Sequence, residues 1–297
     1  MGTAASAASP TRSARTGGRT RSRGAPAAAG YTYGHSWVVT GVHAARTAEK
    51  EAAFFLPHLR PGMRVLDLGC GPGTITLGLA AAVAPGAVLG LDLAPGVLGQ
   101  ARRLAGDRRV ANAGFLTGRA AAVPFPDGRF DAVFAHTLLE HVADPVAVLR
   151  EARRVLKPGG LLGVRDCDWG SGVFAPPDPA VELAAALYAR VWRHHGGDPD
   201  CGRRLRALLR AAGFTRVQTS ASFRWDGSQD GSSGDSRSFG DLLAERLLLP
   251  NFADPIRAMG WGDDALLERT ADACRAWGRT PDAFAAMVMA EAVGRAA

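Results

Sequence analysis

A chain of 297 residues holds one large domain or two small ones, and 47% hydrophobic residues are ample for a packed core. No apolar run approaches the length of a membrane span. The formal charge is +7, but Arg12, Arg15, Arg19, Arg21 and Arg23 fall in residues 1–30 with no acidic residue, leaving about +2 elsewhere, which argues against extensive nucleic-acid binding.

Residues 1–30 are rich in Ala, Ser, Gly, Thr and Arg and hold no aromatic side chain. Such a segment cannot bury enough surface to order itself. The alternative reading is an organelle transit peptide, Arg- and Ser-rich and poor in acids. Tyr31, Tyr33 and His35 follow, either as a lid over a ligand or as a strap packed on the core.

Residues 41–60 are expected to form a helix, broken by Pro61-Gly62. The first strand is predicted at 64–69, a helix at 73–84, a second strand at 87–92 and a helix at 95–105. Strands follow at 114–117 and 130–136. Asp144-Pro145 supplies an N-cap with proline at the first helical position. That helix stops at Lys157-Pro158-Gly159-Gly160, ahead of a fifth strand at 160–166. Further helices are expected from Asp178-Pro179 to Gly196-Gly197 and from Gly202 to Ala212, then a sixth strand at 215–224. A polar loop (225–237) and helices at 238–249 and 263–277 complete the pattern. Phe284 to Val293 is a compact apolar segment whose periodicity fits strand or helix. Strands alternating with helices imply right-handed crossovers and a doubly wound, mostly parallel α/β sheet.

The most informative stretch is Val65-Leu66-Asp67-Leu68-Gly69-Cys70-Gly71-Pro72-Gly73-Thr74. An apolar strand runs into a glycine turn, where the backbone can approach a ligand with no Cβ in the way. Asp92 ends the second strand, where a carboxylate can accept hydrogen bonds from a ribose diol. The dinucleotide fingerprint requires Gly-x-Gly-x-x-Gly, and Thr74 stands at its third glycine position. Asp67 repels a pyrophosphate and suits a ligand carrying ammonium and sulfonium cations. The pattern therefore favours S-adenosylmethionine over NAD.

Four blocks in order, Val65 to Gly73, Gly90 to Asp92, Leu116 to His141 and Leu156 to Asp166, resemble the class I S-adenosylmethionine-dependent methyltransferases. The resemblance is to the small-molecule type related to the ubiquinone and menaquinone methyltransferases, and it covers roughly residues 50–220. It implies a seven-stranded Rossmann-like sheet with Phe284 to Val293 as a last, antiparallel strand between strands five and six. One domain would span residues 31–297, with helical insertions at about 170–200 and 225–282 shaping an acceptor pocket. It also implies methyl transfer to a small molecule.

On this resemblance Asp67, Gly69, Cys70, Gly71 and Gly73 lie by the cofactor, Asp92 on its ribose and Leu93 on its adenine face. Where Gly-Asp-Ala is expected after strand three the chain has Gly118-Arg119-Ala120, so Arg119 stands in place of the aspartate and the amide of Ala120 is left as a contact to the adenine. Arginine accepts no hydrogen bond, so Arg119 is expected to stack on the adenine or to pair with a surface carboxylate. His136 falls beside the methionine part of the cofactor, as a structural or a functional residue. His141 reads as a scaffold residue. Asp166, Asp168 and Trp169 follow the fifth strand, where ligands of open sheets bind; they would orient an acceptor, together with Tyr33 and His35, or else serve as loop and capping residues. The catalytic group is not specified by the motifs.

Cys70, Cys167, Cys201 and Cys274 show no metal spacing, and no metal is expected. Four such cysteines fit a reducing compartment, so the chain is placed in the cytoplasm, or in an organelle if the tail is a transit peptide. The rival functional reading is a non-catalytic S-adenosylmethionine-binding regulatory or scaffold protein. A nicotinamide oxidoreductase and an RNA methyltransferase fit the glycine spacing and the charge less well.

Overall fold

The computed structural model describes residues 1–2, 46–226 and 239–297. The expectations for the N-terminal tail, for Tyr31, Tyr33 and His35, and for most of the polar loop after strand six lie outside the described residues.

In chain order the elements are α1 (Ala48–Glu51), β1 (Arg64–Leu68), α2 (Thr74–Val83), β2 (Ala87–Asp92), α3 (Pro95–Asp107), β3 (Ala113–Thr117) and β4 (Phe130–His136). There follow α4 (Pro145–Val155), β5 (Leu156–Ala175), α5 (Pro179–His194), α6 (Leu205–Ala211) and β6 (Thr215–Asp226). The chain closes with α7 (Phe239–Leu248), α8 (Pro250–Ala258), α9 (Asp264–Gly278) and β7 (Phe284–Arg295). The seven strands form one sheet in the order β3-β2-β1-β4-β5-β7-β6. Pairings from β3 to β5 are parallel, and β7 runs antiparallel to both β5 and β6. This is the doubly wound sheet that the sequence implies, and Phe284 to Val293 is a strand within it.

Local chemistry sets the helix starts. Asp144, Asp178 and Asp263 each cap a helix, accepting from Ala147 N at 2.9 Å, Ala180 N at 2.8 Å and Leu266 N at 2.8 Å. Pro145 and Pro179 stand at first helical positions, where no amide hydrogen is missed.

Three differences from the sequence reading have physical causes. Between 46 and 60 the chain makes only α1 and a 3-10 turn (Leu56–His58), because Pro57 and Pro61 deny the backbone donors a longer helix needs. β5 runs on to Ala175, because β7 supplies partners as far as Phe284. α8 lies in an unassigned stretch and carries Pro255 inside it; packing of Phe252 and Ile256 outweighs the lost backbone bond.

The sheet is covered on both sides. Phe55, Ile75, Leu79, Phe134 and Val293 belong to one buried cluster. Leu66, Leu149, Leu162, Leu205 and Leu209 belong to another. A third joins α5, α7, α8 and α9 to the far ends of β5 and β7 through Tyr188, Trp192, Leu243, Phe252, Met287 and Met289. α5, α7, α8 and α9 thus form a cap over the far ends of β5 and β7.

Candidate active site

β1 delivers the chain to the glycine turn with three positive φ values, at Gly69 (72°), Gly71 (53°) and Gly73 (83°). These lie in the left-handed region, which side chains with a Cβ rarely adopt. The turn is tied to β2. Gly69 N donates to Leu91 O at 2.7 Å, and Gly71 N donates to Asp92 Oδ2 at 2.9 Å. The other carboxylate oxygen, Asp92 Oδ1, accepts from Ala94 N at 2.9 Å. Asp92 therefore organises the loop as well as facing the cleft.

A cavity of about 440 Å³ opens here. Asp67, Gly69, Cys70, Gly71, Asp92, Leu93, Arg119, Ala120 and His136 all line it, as do Arg46, Thr137, Leu138 and His141. Asp67 lies at the end of β1 and is 2% exposed. Burial pushes its carboxyl up to about 7, although Thr76 Oγ1 donates to it at 2.6 Å. Leu93 is 58% exposed and lies open at the cavity wall. Arg119 is exposed, and its guanidinium makes no hydrogen bond or ion pair among the described residues. Burial pushes the Cys70 thiol up, away from thiolate chemistry.

Gly73, expected by the cofactor, is not among the residues that line this cavity, although Pro72 and Thr74 beside it are. A Cβ there would stand 2.9 Å from Ala101 Cβ and 2.9 Å from the Phe115 ring, so this glycine seats α2 against α3 and β3.

His136 belongs to a row that crosses four strands. Its register partner is Arg165 on β5, that of Arg165 is Glu291 on β7, and that of Glu291 is Ser220 on β6. Arg165 donates to Glu51 of α1 and, at 3.4 Å, to Glu291 Oε1. Ser220 and Ser222 donate to Glu291 at 2.7 and 2.6 Å. His136 Nε2 lies 3.1 Å from Glu51 Oε2, and burial lowers the imidazole to about 3, so it is neutral. Arg46 Nη1 donates to Thr137 Oγ1 at 2.9 Å above this row.

The groups expected after the fifth strand divide. Trp169 lines a second, smaller cavity of about 30 Å³ with Arg46, Thr137, Glu140, Arg224, Phe239, Arg246, Met287 and Met289. Asp166 and Asp168, expected to orient an acceptor or to serve as loop and capping residues, line neither of these two cavities. Asp166 is buried on the opposite sheet face, where its Oδ1 accepts from Glu140 N at 3.3 Å. Asp168 is held by Arg203 in two bonds of 2.7 and 2.5 Å. Alternation along β5 turns both carboxylates away from the cleft.

Sequence reasoning missed Glu140 as a lining group. Its Oε2 accepts from Cys167 N at 3.0 Å and its Oε1 lies 3.4 Å from His141 Nε2. Burial raises the Glu140 carboxyl, while burial and the neighbouring Glu140 charge raise Asp166. His141 stacks on Trp192 at 4.9 Å, as a scaffold residue would. The Glu140-His141 pair immediately after a buried strand was the available signal.

An open α/β sheet with a carboxylate-flanked glycine turn at its carboxyl edge defines a nucleoside-binding enzyme fold. Residues 66–164 match the family model described as a methyltransferase domain. An uncharacterised methyltransferase of Schizosaccharomyces pombe is 31% identical over 83% of this chain and 89% of its own length. A probable methyltransferase of Aspergillus luteorubrus is 33% identical over 86% of this chain and 93% of its own. A demethylmenaquinone methyltransferase of Geobacillus is 39% identical over 54% of this chain and 74% of its own. The structure of the YcgJ protein from Bacillus subtilis shares the fold, with a TM-score of 0.56 at 20% identity, over 86% of this chain and 98% of that one. The chain belongs to the S-adenosylmethionine-dependent methyltransferase family.

Proposed function

We propose that the chain transfers a methyl group from S-adenosylmethionine to a small-molecule acceptor. The observation that carries this reading is the cavity of about 440 Å³ with Asp67 and Asp92 on its wall beside the glycine turn. The donor set fits the cofactor. Asp67 offers a carboxylate to a cationic amino-acid end, Asp92 offers oxygens to a ribose, and Leu93 with Ala120 offers apolar surface to a base. When bound, the sulfonium supplies an already activated methyl group. The protein's work is then to hold the acceptor in line and to exclude water.

The smaller cavity shares Arg46 and Thr137 with the larger one, and we place the acceptor there, against Trp169 and the cap. Glu140, buried at its wall, holds or takes a proton at its carboxyl oxygens.

Two measurements test the reading. Labelled S-adenosylmethionine incubated with metabolite extract should yield labelled small molecules and S-adenosylhomocysteine. Cofactor bound but never converted would instead favour a regulatory binding protein. Asp92→Ala should weaken S-adenosylhomocysteine binding by about 1.5–3 kcal/mol in calorimetry, the worth of hydrogen bonds to a charged group. An unchanged dissociation constant would remove Asp92 from the site.

A further inference from the structure

We infer that the chain pairs with a second copy of itself along the outer edge of β6, antiparallel and centred on Ala221. β6 ends the sheet, and among the described residues only β7 pairs with it. From Gln218 onward its register with β7 is unbroken, and Gln218, Thr219, Ser220, Ala221, Phe223 and Arg224 are exposed. Val217 to Phe223 holds no charged residue, no proline and no glycine. Sheet edges are ordinarily blunted by lysines, prolines, bulges or a covering segment. Here the register shift lies between Thr215 and Gln218, and the described strand beyond it is an open row of backbone donors and acceptors.

Exposed apolar side chains gather at this edge. Residues opposite one another in a ladder share a face. Phe223 therefore lies beside Val288, and Val173 beside Ala286. Phe223 is 66% exposed and Val173 is 55% exposed. The other face of the same strands carries Met287 and Met289, which the helical cap covers. Asp168, in the row of Phe223 and Val288, is closed off by Arg203. Apolar side chains grouped in this way and rimmed by polar groups mark a contact surface.

The strand is complementary to itself. A two-fold pairing centred on Ala221 sets Gln218 opposite Arg224 of the second copy, Thr219 opposite Phe223 and Ser220 opposite Ser222. It uses only residues beyond the register shift. Phe223 against Thr219 is an aromatic and β-branched pair, which stabilises antiparallel ladders. The Arg224 guanidinium only donates, and the Gln218 carboxamide oxygen accepts. The neighbouring register centred on Ser220 sets Arg216 opposite Arg224, and like charges directly opposite are destabilising. It also draws in Arg216 with its φ of 49°. A register centred on Ser222 sets Phe223 against Ala221 and Arg224 against Ser220, exchanging both favourable pairs for weaker ones. An isologous contact of this kind closes as a dimer. The contact reaches the site as well: Arg224 lines the smaller cavity, so Gln218 of the second copy would stand beside that wall.

The test uses the full chain in analytical ultracentrifugation over a dilution series. The chain is expected to associate reversibly to a dimer. Ala221→Lys, at an exposed position, sets two ammonium groups opposite each other on the axis and should raise the dissociation constant roughly tenfold or more. A covalent readout stands beside it and maps the register. Ala221→Cys places two thiols opposite each other, and oxidation with diamide should give a disulfide-linked dimer. Ser220→Cys, opposite Ser222, should not. The native cysteines are all buried, which keeps the background of this assay low. A chain that stays monomeric at every concentration, a dimer indifferent to Ala221→Lys, or crosslinking through Ser220→Cys in place of Ala221→Cys would overturn the inference.

Discussion

Asp67 and Asp92 are the same carboxylate in two environments. Asp92 accepts from two backbone amides, whereas Asp67 is buried with one hydroxyl donor and is pushed up to about 7. A carboxyl raised in the folded state carries no burial cost below its unfolded value near 3.8. That cost appears as pH rises through the window from 3.8 to about 7, where the folded protein still holds the proton. A cationic amino-acid group in the cleft favours the ionised form. S-adenosylhomocysteine affinity should therefore fall as pH drops below about 7, by up to about tenfold per pH unit, and Asp67→Asn should flatten the profile. Calorimetry between pH 8 and pH 6 measures both; a profile with the same slope in Asp67→Asn would assign the dependence to another group. Arg119 gives the opposite case. Its guanidinium is exposed at the cavity wall with no carboxylate partner among the described residues. Arg119→Asp should leave cofactor affinity unchanged or improve it, by roughly 1.5–3 kcal/mol at best. A tenfold loss would show that the arginine itself holds the ligand.

At the scale of elements, the Arg165 row ties α1, β4, β5, β7 and β6 together at the level of the cleft. Arg165→Met should leave Glu51 and Glu291 without their shared cation. Breaking a buried ion pair from one side costs about 3–5 kcal/mol, which urea unfolding reads directly; a loss below about 1 kcal/mol would make the row ornamental to stability. None of this row was legible in the sequence, because Glu51, Arg165 and Glu291 lie more than 100 residues apart and meet only through strand register. The glycine turn, Asp67 and Asp92 were legible because their chemistry is local: one strand, one turn and one strand end. For Asp166 and Asp168 the position at a strand end was readable, but the direction of their side chains follows from the register of β5 with β4 and β7, whose residues lie far away in the sequence. The identity of β7 came through resemblance, since an apolar run of that length has no decisive period.

For the whole molecule, the larger cavity is lined from both sheet-face clusters, by Ile75 of one and by Leu91 and Val148 of the other, and by His141, which stacks on Trp192 of the helical cluster. A ligand held there bridges the glycine turn, the end of β4 and the turn carrying Glu140, so its binding energy should appear as global stability. At a ligand concentration of 100 times the dissociation constant the gain is about 2.7 kcal/mol. For a domain of this size each kcal/mol moves Tm by roughly 2–4 °C, so S-adenosylhomocysteine should raise Tm by about 5–11 °C. NADH should not. Its pyrophosphate would bring negative charge to a wall that already holds Asp67 and Asp92, and Thr74 stands where a dinucleotide turn needs its third glycine. Paired melting curves with the two ligands decide the matter. A larger shift with NADH would mean that the glycine turn reads a pyrophosphate after all, with Arg46 and Arg119 of the same wall offsetting Asp67 and Asp92.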